Sequence, residues 1–348
     1  MTLALYLSRQ VATRILAVLA GLLALGLSLD LLENSTKIID HHAMAGLGEY
    51  ALLRAPLILI TILPLGVLVG AALGFLSLAV RNEMVVLRAA GYNTLRALLM
   101  LIPLGVICGV AQNQLVSRIG PAAEQALVAR FPDLFKSAAI EKEVWLRDWQ
   151  AVIRIGRAEA DGATLTDISI FQTGAGGELT QRIDAETARY AQDGWRLEQV
   201  TLQRPDETVQ QVQDMPWTTR LTPAGILGAA RQSDLVDASE VRKILSGALP
   251  GGRSKPFYSV QLWRGYAALI VPLVMILFGA MASFGLSRSG GGIGRVALGL
   301  SGGAVFILVD GVFSSLGEVG AMNAAMAAFL APGLFFVIGL WSIVVIEE

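Results

Sequence analysis

Residues 57–80 read LILITILPLGVLVGAALGFLSLAV, 24 positions without a charged side chain. At about 1.5 Å rise per residue, a helix of this length crosses the ~30 Å hydrocarbon core of a bilayer. Five more apolar stretches of this kind flank it, at approximately 15–32, 97–116, 267–286, 296–312 and 324–346. Within these limits only Asp30 and Asp310 are charged, and both lie close to a helix end. The pattern predicts a membrane α-helical protein with six transmembrane helices, three on each side of a long polar insertion.

Composition agrees. The chain has 348 residues, 54% hydrophobic and 16% charged, against about 25% charged in ordinary soluble proteins. A soluble single-core enzyme of this size could not cover its surface. Disorder is excluded by the hydrophobicity. Nucleic-acid binding is excluded by a net charge of -1, since a phosphate backbone needs concentrated basic charge. The lone cysteine, Cys108, permits no internal disulfide.

Arg9 and Arg14 precede the first apolar stretch as they would in a signal peptide, but Glu33-Asn34-Ser35-Thr36-Lys37 follows it in place of a small-x-small cleavage site. It reads as a retained helix. With the N-terminus inside, the cytoplasmic segments hold Arg9 and Arg14, then Arg81, Arg88 and Arg96, then Arg288 and Arg295. The short outer loops hold only Lys37 and Arg54. The positive-inside rule therefore predicts both termini in the cytoplasm and the insertion outside. Three segments result: a membrane bundle over 1–116, an extracytoplasmic domain over 117–260, and a second bundle over 261–348.

The insertion alternates in the manner of strands. Val152-Ile153-Arg154-Ile155, Ile168-Ser169-Ile170-Phe171 and Trp195-Arg196-Leu197-Glu198-Gln199-Val200 are short strand-like runs. Asp193-Gly194 supplies a tight hairpin and Gly174-Ala175-Gly176-Gly177 a looser one. About eight strands fit between Val144 and Leu221, which predicts a small β-sandwich or β-jellyroll. An amphipathic helix is expected at 237–245, ended by Gly247 and Pro250-Gly251-Gly252. Phe257, Tyr258, Trp263 and Tyr266 then form an aromatic belt where the chain re-enters the membrane. No repeat relates the two bundles, so an inverted-repeat transporter is not supported.

Enzymatic readings lack parts. His41 and His42 are adjacent and do not have metal-ligand spacing. HExxH, GxSxG, CxxC and GxxxxGK[ST] are all missing, so any ATP must be bound by another chain. Ser289-Gly290-Gly291-Gly292-Ile293-Gly294-Arg295 reads as a linker between helices, because no strand precedes it. An intramembrane lipid-modifying enzyme would need clustered acid/base residues at one depth, and the chain offers too few.

Two polar regions remain. In the loop after residue 80, Asn82 is a helix N-cap, Glu83 lies in the first turn and Gly91 fits the position after the last turn. So short a helix is marginal in water and must bury Met84 and Leu87 either on the bilayer interface or in a cytoplasmic partner. At the opposite helix ends, Asp30, Glu33 and Lys37 share one helix face, with Asp40 beyond them. Gln112, Asn113, Gln114, Arg118, Arg130 and Lys136 follow the third stretch. These residues read either as local ion pairs and snorkelling side chains or as a grip on a charged amphiphile of the outer leaflet.

At RNEMVVLRAAGYNTLR, residues 81–96, the chain resembles the LptF/LptG permeases of the lipopolysaccharide export transporter, with the LptG branch the closer. LPLGVLVGAALGFLSLA, WRLEQV and VDGVF support the resemblance, which extends over essentially the whole chain. It implies a non-catalytic permease subunit of an ABC transporter in the bacterial inner membrane, with its β-jellyroll in the periplasm. The implied partners are an LptF-like permease, a dimer of LptB-like ATPase that holds ATP and Mg, and an LptC/LptA-like jellyroll bridge. Lipopolysaccharide is the implied cargo, and no cofactor is bound directly.

The family's coupling acid falls on Glu83, with Arg81, Met84, Leu87 and Arg88 as neighbouring contacts. Lipid contacts fall on Asp30, Glu33, Lys37, Arg118, Arg130, Lys136 and Asp310. The first and fifth helices are the implied lateral gates. One departure stands out. Members of the LptG branch carry several lysines at the outer end of the first helix, where this chain has Asp30, Glu33 and Thr36 and retains Lys37 alone. Either Arg118, Arg130 and Lys136 supply the charge, or the lipid is less phosphorylated, or divalent cations bridge acid to phosphate. The competing class is a membrane scaffold whose β-domain binds an extracytoplasmic protein without transport.

Overall fold

The computed structural model describes residues 2–90, 92, 94–132, 134, 143–148, 151–159, 162–174, 178–191, 194–204, 209–219, 221–223, 226, 235–249, 251–283 and 292–347. The chain divides into a helical unit, Met1–Leu127 with Ser259–Glu348, and a second unit, Val128–Tyr258.

Helix α1 runs Thr2–Val80 and contains two membrane-length arms, Leu3–Ile39 and Gly46–Val80. The arms lie antiparallel, with Gly66 against Leu19, Gly70 against Ile15 and Gly74 against Val11. Glycines at every fourth position form one stripe, and without side chains they let the backbones meet. A Cβ at Gly70 would collide with the backbone of Ile15. This is small-residue packing of the kind membrane helices use in place of a hydrophobic driving force.

After α1 come α2 (Glu83–Ala89), α3 (Thr94–Leu99), α4 (Ile102–Gln114), a π-helical turn at Leu115–Ile119 and α5 (Gly120–Arg130). Past the β-domain and its helix α6 (Ala238–Leu245) follow α7 (Lys255–Ala267), α8 (Val271–Ser283), α9 (Gly292–Glu318) and α10 (Ala324–Glu347). Helix α8 is apolar all round and is buried accordingly: Val274, Met275 and Ala280 have no exposed surface. It packs on the second arm of α1 and on α4, α9 and α10. Phe335 is 5.9 Å from Phe278 and 5.4 Å from Phe306, joining α8, α9 and α10.

The expected six crossings are not six unbroken helices. Among the described residues four helices are long and apolar enough to span, and α7 with α8 make a fifth, bent by 54°. Pro272 explains the bend. It has no N–H to give the Ala268 carbonyl and its ring clashes there, so it is tolerated only in the first turn of α8. Pro103 likewise opens α4 and separates it from α3, so the stretch at 97–116 is divided. Helix α9 begins at Gly292, so part of the expected glycine linker is helical; residues 289–291 lie outside the described residues.

In the second unit β1 (Val144–Asp148), β2 (Ala151–Ala158), β3 (Thr164–Thr173), β4 (Leu179–Ala191), β5 (Gly194–Gln203) and β6 (Val209–Trp217) form one antiparallel sheet. Their order is sequential, a meander of six strands among the described residues where about eight in a sandwich or jellyroll were expected. The tight hairpin lies where the sequence puts it: Ala191 of β4 pairs with Gly194 of β5, whose φ is 111°. Asp193 itself lies outside the described residues, as do Ala175-Gly176-Gly177 of the looser hairpin.

The buried apolar side chains step by two with one step of three in each strand: Ile153, Ile155 and Ala158; Leu165, Ile168 and Ile170; Ile183, Ala185 and Ala188; Trp195, Leu197 and Val200. At each three-residue step one residue drops out of the ladder without a change of register, and Asp167 and Gln199 have positive φ there. This line of irregularities crosses four strands, and such breaks bend and twist a sheet. Arg154 bridges Glu143 at 2.6 Å and Asp167 at 2.7 Å beside it. The Glu143 hydrogen bond raises its pKa above the usual guanidinium value.

The sheet also curls. Five strand spacings of about 4.8 Å would separate β1 from β6 by about 24 Å in a flat sheet, and two residues reach only about 7 Å. Yet Thr219, two residues past β6, donates to Asp148 at the end of β1 over 2.6 Å. The chain beyond it adds Leu221 and Ile226 to the apolar core, and the Trp195 indole N–H donates to the Leu221 carbonyl at 2.7 Å. Helix α6 is the predicted amphipathic helix, N-capped by Asp237, which accepts from the Ser239 N–H at 2.8 Å. Gly247 follows it with φ 78°.

Candidate functional site

The short helix α2 is reached by a sharp turn. The Arg81 and Asn82 N–H groups donate back to Ser77 and Ala79, and Asn82 has φ 55°, a left-handed conformation that asparagine tolerates after glycine best. Its carbonyl accepts from the Val86 N–H at 3.2 Å, so Asn82 ends one helix and starts the next. At the far end the Tyr92 N–H donates to the Leu87 carbonyl at 3.0 Å, a six-to-one closing bond. Gly91, expected within that closure, lies outside the described residues.

Leu87 packs against the core of the helical unit, which answers how so short a helix is stabilised. Val86 is 67% exposed, and Arg81 is exposed as well. The side chains of Met84 and Arg88 lie outside the described residues. The Glu83 carboxylate accepts a hydrogen bond of 2.9 Å from the hydroxyl of Tyr6, 77 residues away on the first arm of α1.

The charges at the other end of the hairpin do not form one cluster. Asp30 turns towards the second arm, where it accepts from the Tyr50 hydroxyl at 2.8 Å and pairs with Arg54 at 2.9 Å. Its side chain is only 14% exposed, so it fastens the two arms together and has little surface left for a ligand. Glu33 and Lys37, expected to share its face, are exposed, as are Arg118 on the π-helical turn and Arg130 at the end of α5. Lys136 and the side chains of Asp40, His41 and His42 lie outside the described residues. Asp310 on α9 pairs with Arg264 on α7 at 3.4 Å, again largely enclosed.

Asn113 donates to the Gly265 carbonyl. In an unbroken helix that carbonyl would take the Leu269 N–H, which turns instead to Tyr266. The amide therefore satisfies a backbone group released by the bend, as membrane interiors require. Among the described residues no group of three His, Cys, Asp or Glu could hold a metal ion.

Tyr6, Tyr50, Arg54 and Arg264 were not among the candidate residues, yet they hold Glu83, Asp30 and Asp310. The hairpin arithmetic is the signal that finds Arg54. Glycine and partner positions sum to about 85, and so do 30 and 54.

Only 6% of the most apolar part of the first arm is buried, against 44% for the second arm, and 22% for α9 against 39% for α10. The first arm and α9 are thus the least covered of these spans and present apolar side chains such as Leu25, Leu29, Leu308 and Val312.

The sequence model of the family described as lipopolysaccharide export system permease LptF/LptG matches residues 5–344. The chain is 26% identical to the lipopolysaccharide export system permease protein LptG of Escherichia coli strain K12 over 346 positions, covering 97% of this chain and 96% of that protein. It is 24% identical to the protein of the same name from Haemophilus influenzae over 342 positions, covering 93% and 95%.

Proposed function

Since the chain belongs to the LptF/LptG family of lipopolysaccharide export permeases, we propose that it is a non-catalytic transmembrane subunit of an ATP-driven lipopolysaccharide exporter, working beside an LptF-like permease. The observation that carries this reading is the family match, which runs from the first arm of α1 through the β-domain to α10. Withdrawing a multi-acyl lipid from a leaflet is costly, at about 0.8 kcal/mol for each CH₂ exposed to water. The work must come from outside the chain, and an LptB-like ATPase dimer holding ATP and Mg is its source.

In this reading the termini and α2 face the cytoplasm, in keeping with the arginines at 81, 88 and 96. The β-domain faces the periplasm and hands the lipid to an LptC/LptA-like bridge. Glu83 is half-buried in the first turn of a short helix between two membrane segments, beside the exposed Arg81 and Asn82, a placement suited to seating a carboxylate in a groove of the ATPase. Arg81, Met84 and Arg88 would contribute to that contact, while Leu87 anchors the helix to the bundle. Lipid enters past the first arm and α9, the least covered spans. Lys37, Arg118, Arg130 and Lys136 would meet its phosphates. Asp30 and Asp310 act on the lipid only through the arginines they hold.

The test is purification followed by reconstitution. An LptB-like ATPase and an LptF-like chain should co-purify, and ATP should drive lipid release from vesicles. Glu83→Lys should abolish both assembly and release. Isolation without any ATPase would favour the scaffold, and normal release by the variant would remove Glu83 from the coupling path.

A further inference from the structure

From the Tyr6–Glu83 hydrogen bond we infer that Tyr6 is a positioning residue for energy coupling: it sets the Glu83 carboxylate and ties α2 directly to the first arm of α1. The inference rests on the reading of Glu83 as the ATPase-facing acid. Glu83 lies in the first turn of a helix of seven residues, anchored inward through Leu87. A glutamate there has three rotatable side-chain bonds and no obligatory direction. The Tyr6 hydroxyl removes that freedom with a bond of 2.9 Å from a side chain 46% exposed, in a place a docking protein can reach. A phenol donating to a carboxylate is a charge-assisted bond, the stronger kind, and it occupies one oxygen while leaving the other to an incoming donor.

The same bond gives movement of α2 a route. Tyr6 adjoins Leu7, which is 2% exposed, so its backbone is fixed in the bundle while its ring reaches α2. Ser8 and Gln10 bond to the Met100 carbonyl and to Ser77, so this end of the arm is fastened on several sides. Otherwise the most apolar part of the arm is barely covered. A displacement of Glu83 by the ATPase therefore has a direct route to the first arm through Tyr6, beside the anchor that Leu87 makes to the bundle.

The experiment uses the purified transporter with its partner subunits, reconstituted in vesicles, and the variants Tyr6→Phe, Glu83→Gln and both together. Tyr6→Phe keeps the ring and removes only the hydroxyl. We expect it to retain the ATPase and hydrolyse ATP normally while lipid released per ATP falls about tenfold, the loss expected for one hydrogen bond to a charged group. The double variant should be no worse than Glu83→Gln alone, because the two residues act through one bond. Unchanged lipid release per ATP in Tyr6→Phe, additive losses in the double variant, or loss of ATPase assembly in Tyr6→Phe would each overturn the inference. A transporter in which Glu83→Gln and Glu83→Lys both assemble and release lipid normally would instead overturn the underlying reading of Glu83.

Discussion

Thr219 donates its hydroxyl to the Asp148 carboxylate over 2.6 Å, joining residues that strand order assigns to opposite edges of the β-sheet. The bond fixes the curl of the sheet and seats Leu221 and Ile226 in the core. Thr219→Val keeps the side-chain shape and removes both the donor to Asp148 and the acceptor of the Leu221 N–H. The expected cost is about 1.5 kcal/mol, read as faster amide hydrogen exchange in β1. Unchanged protection of β1 would mean that the curl holds without this bond.

The glycine stripe of α1 gives a sharper contrast. A side chain at Gly70 has no room against Ile15, whereas Gly21 faces open space. Gly70→Leu is expected to destabilise the helical unit by about 3 kcal/mol through overpacking, and Gly21→Ala by close to nothing. Thermal unfolding of the two variants in detergent provides the comparison.

Asp30 should behave as a structural acid. Arg54→Ala leaves its mostly enclosed carboxylate without a counter-ion and is expected to cost about 2 kcal/mol. Asp30→Asn combined with Arg54→Gln should recover most of that loss, since neither charge is then stranded. Thermal stability and lipid release measured on the same samples separate the possibilities: a variant of normal stability that fails to release lipid would put Asp30 in the lipid site.

Asp310 and Arg264 make the opposite use of the same chemistry. Asp310→Asn weakens the hold on a guanidinium 41% exposed, which becomes available to an anionic headgroup. Photocrosslinking of lipid to α9 should rise in that variant and fall in Arg264→Gln with Asp310 intact. Equal crosslinking in both would separate the pair from the lipid path.

Much of this was legible in the sequence because apolar length and strand alternation are local signals. The apolar spans, the inserted β-domain, the hairpin before Gly194 and the amphipathic helix over 237–245 all follow from residues close together in the chain. The breaks at Pro103 and Pro272 were legible in principle, since a proline fixes where a helix must restart, but continuous hydrophobicity masked them. The partners of Glu83, Asp30 and Asp310 were not local. Tyr6, Arg54 and Arg264 lie 77, 24 and 46 residues from the acids they hold. Only the antiparallel register of α1 brings Arg54 to Asp30, and that register is written in glycines whose spacing matters through what they lack. Among the described residues the strands number six where about eight were expected: turn signals show where strands can end, while the curl of the sheet depends on Thr219 reaching Asp148.

The meshing of Val11, Ile15 and Leu19 with Gly74, Gly70 and Gly66 limits how the first arm of α1 can move. Each side chain sits over one glycine as a tooth sits in a rack. Sliding along the axis must first lift every tooth over the residues between the glycines, and a full step to the next notch is a whole helical turn, about 5.4 Å. Tilting away from the second arm instead disengages the teeth one after another from one end. The first arm is therefore built to swing and not to piston, and a gate that includes it opens from one end like a zip.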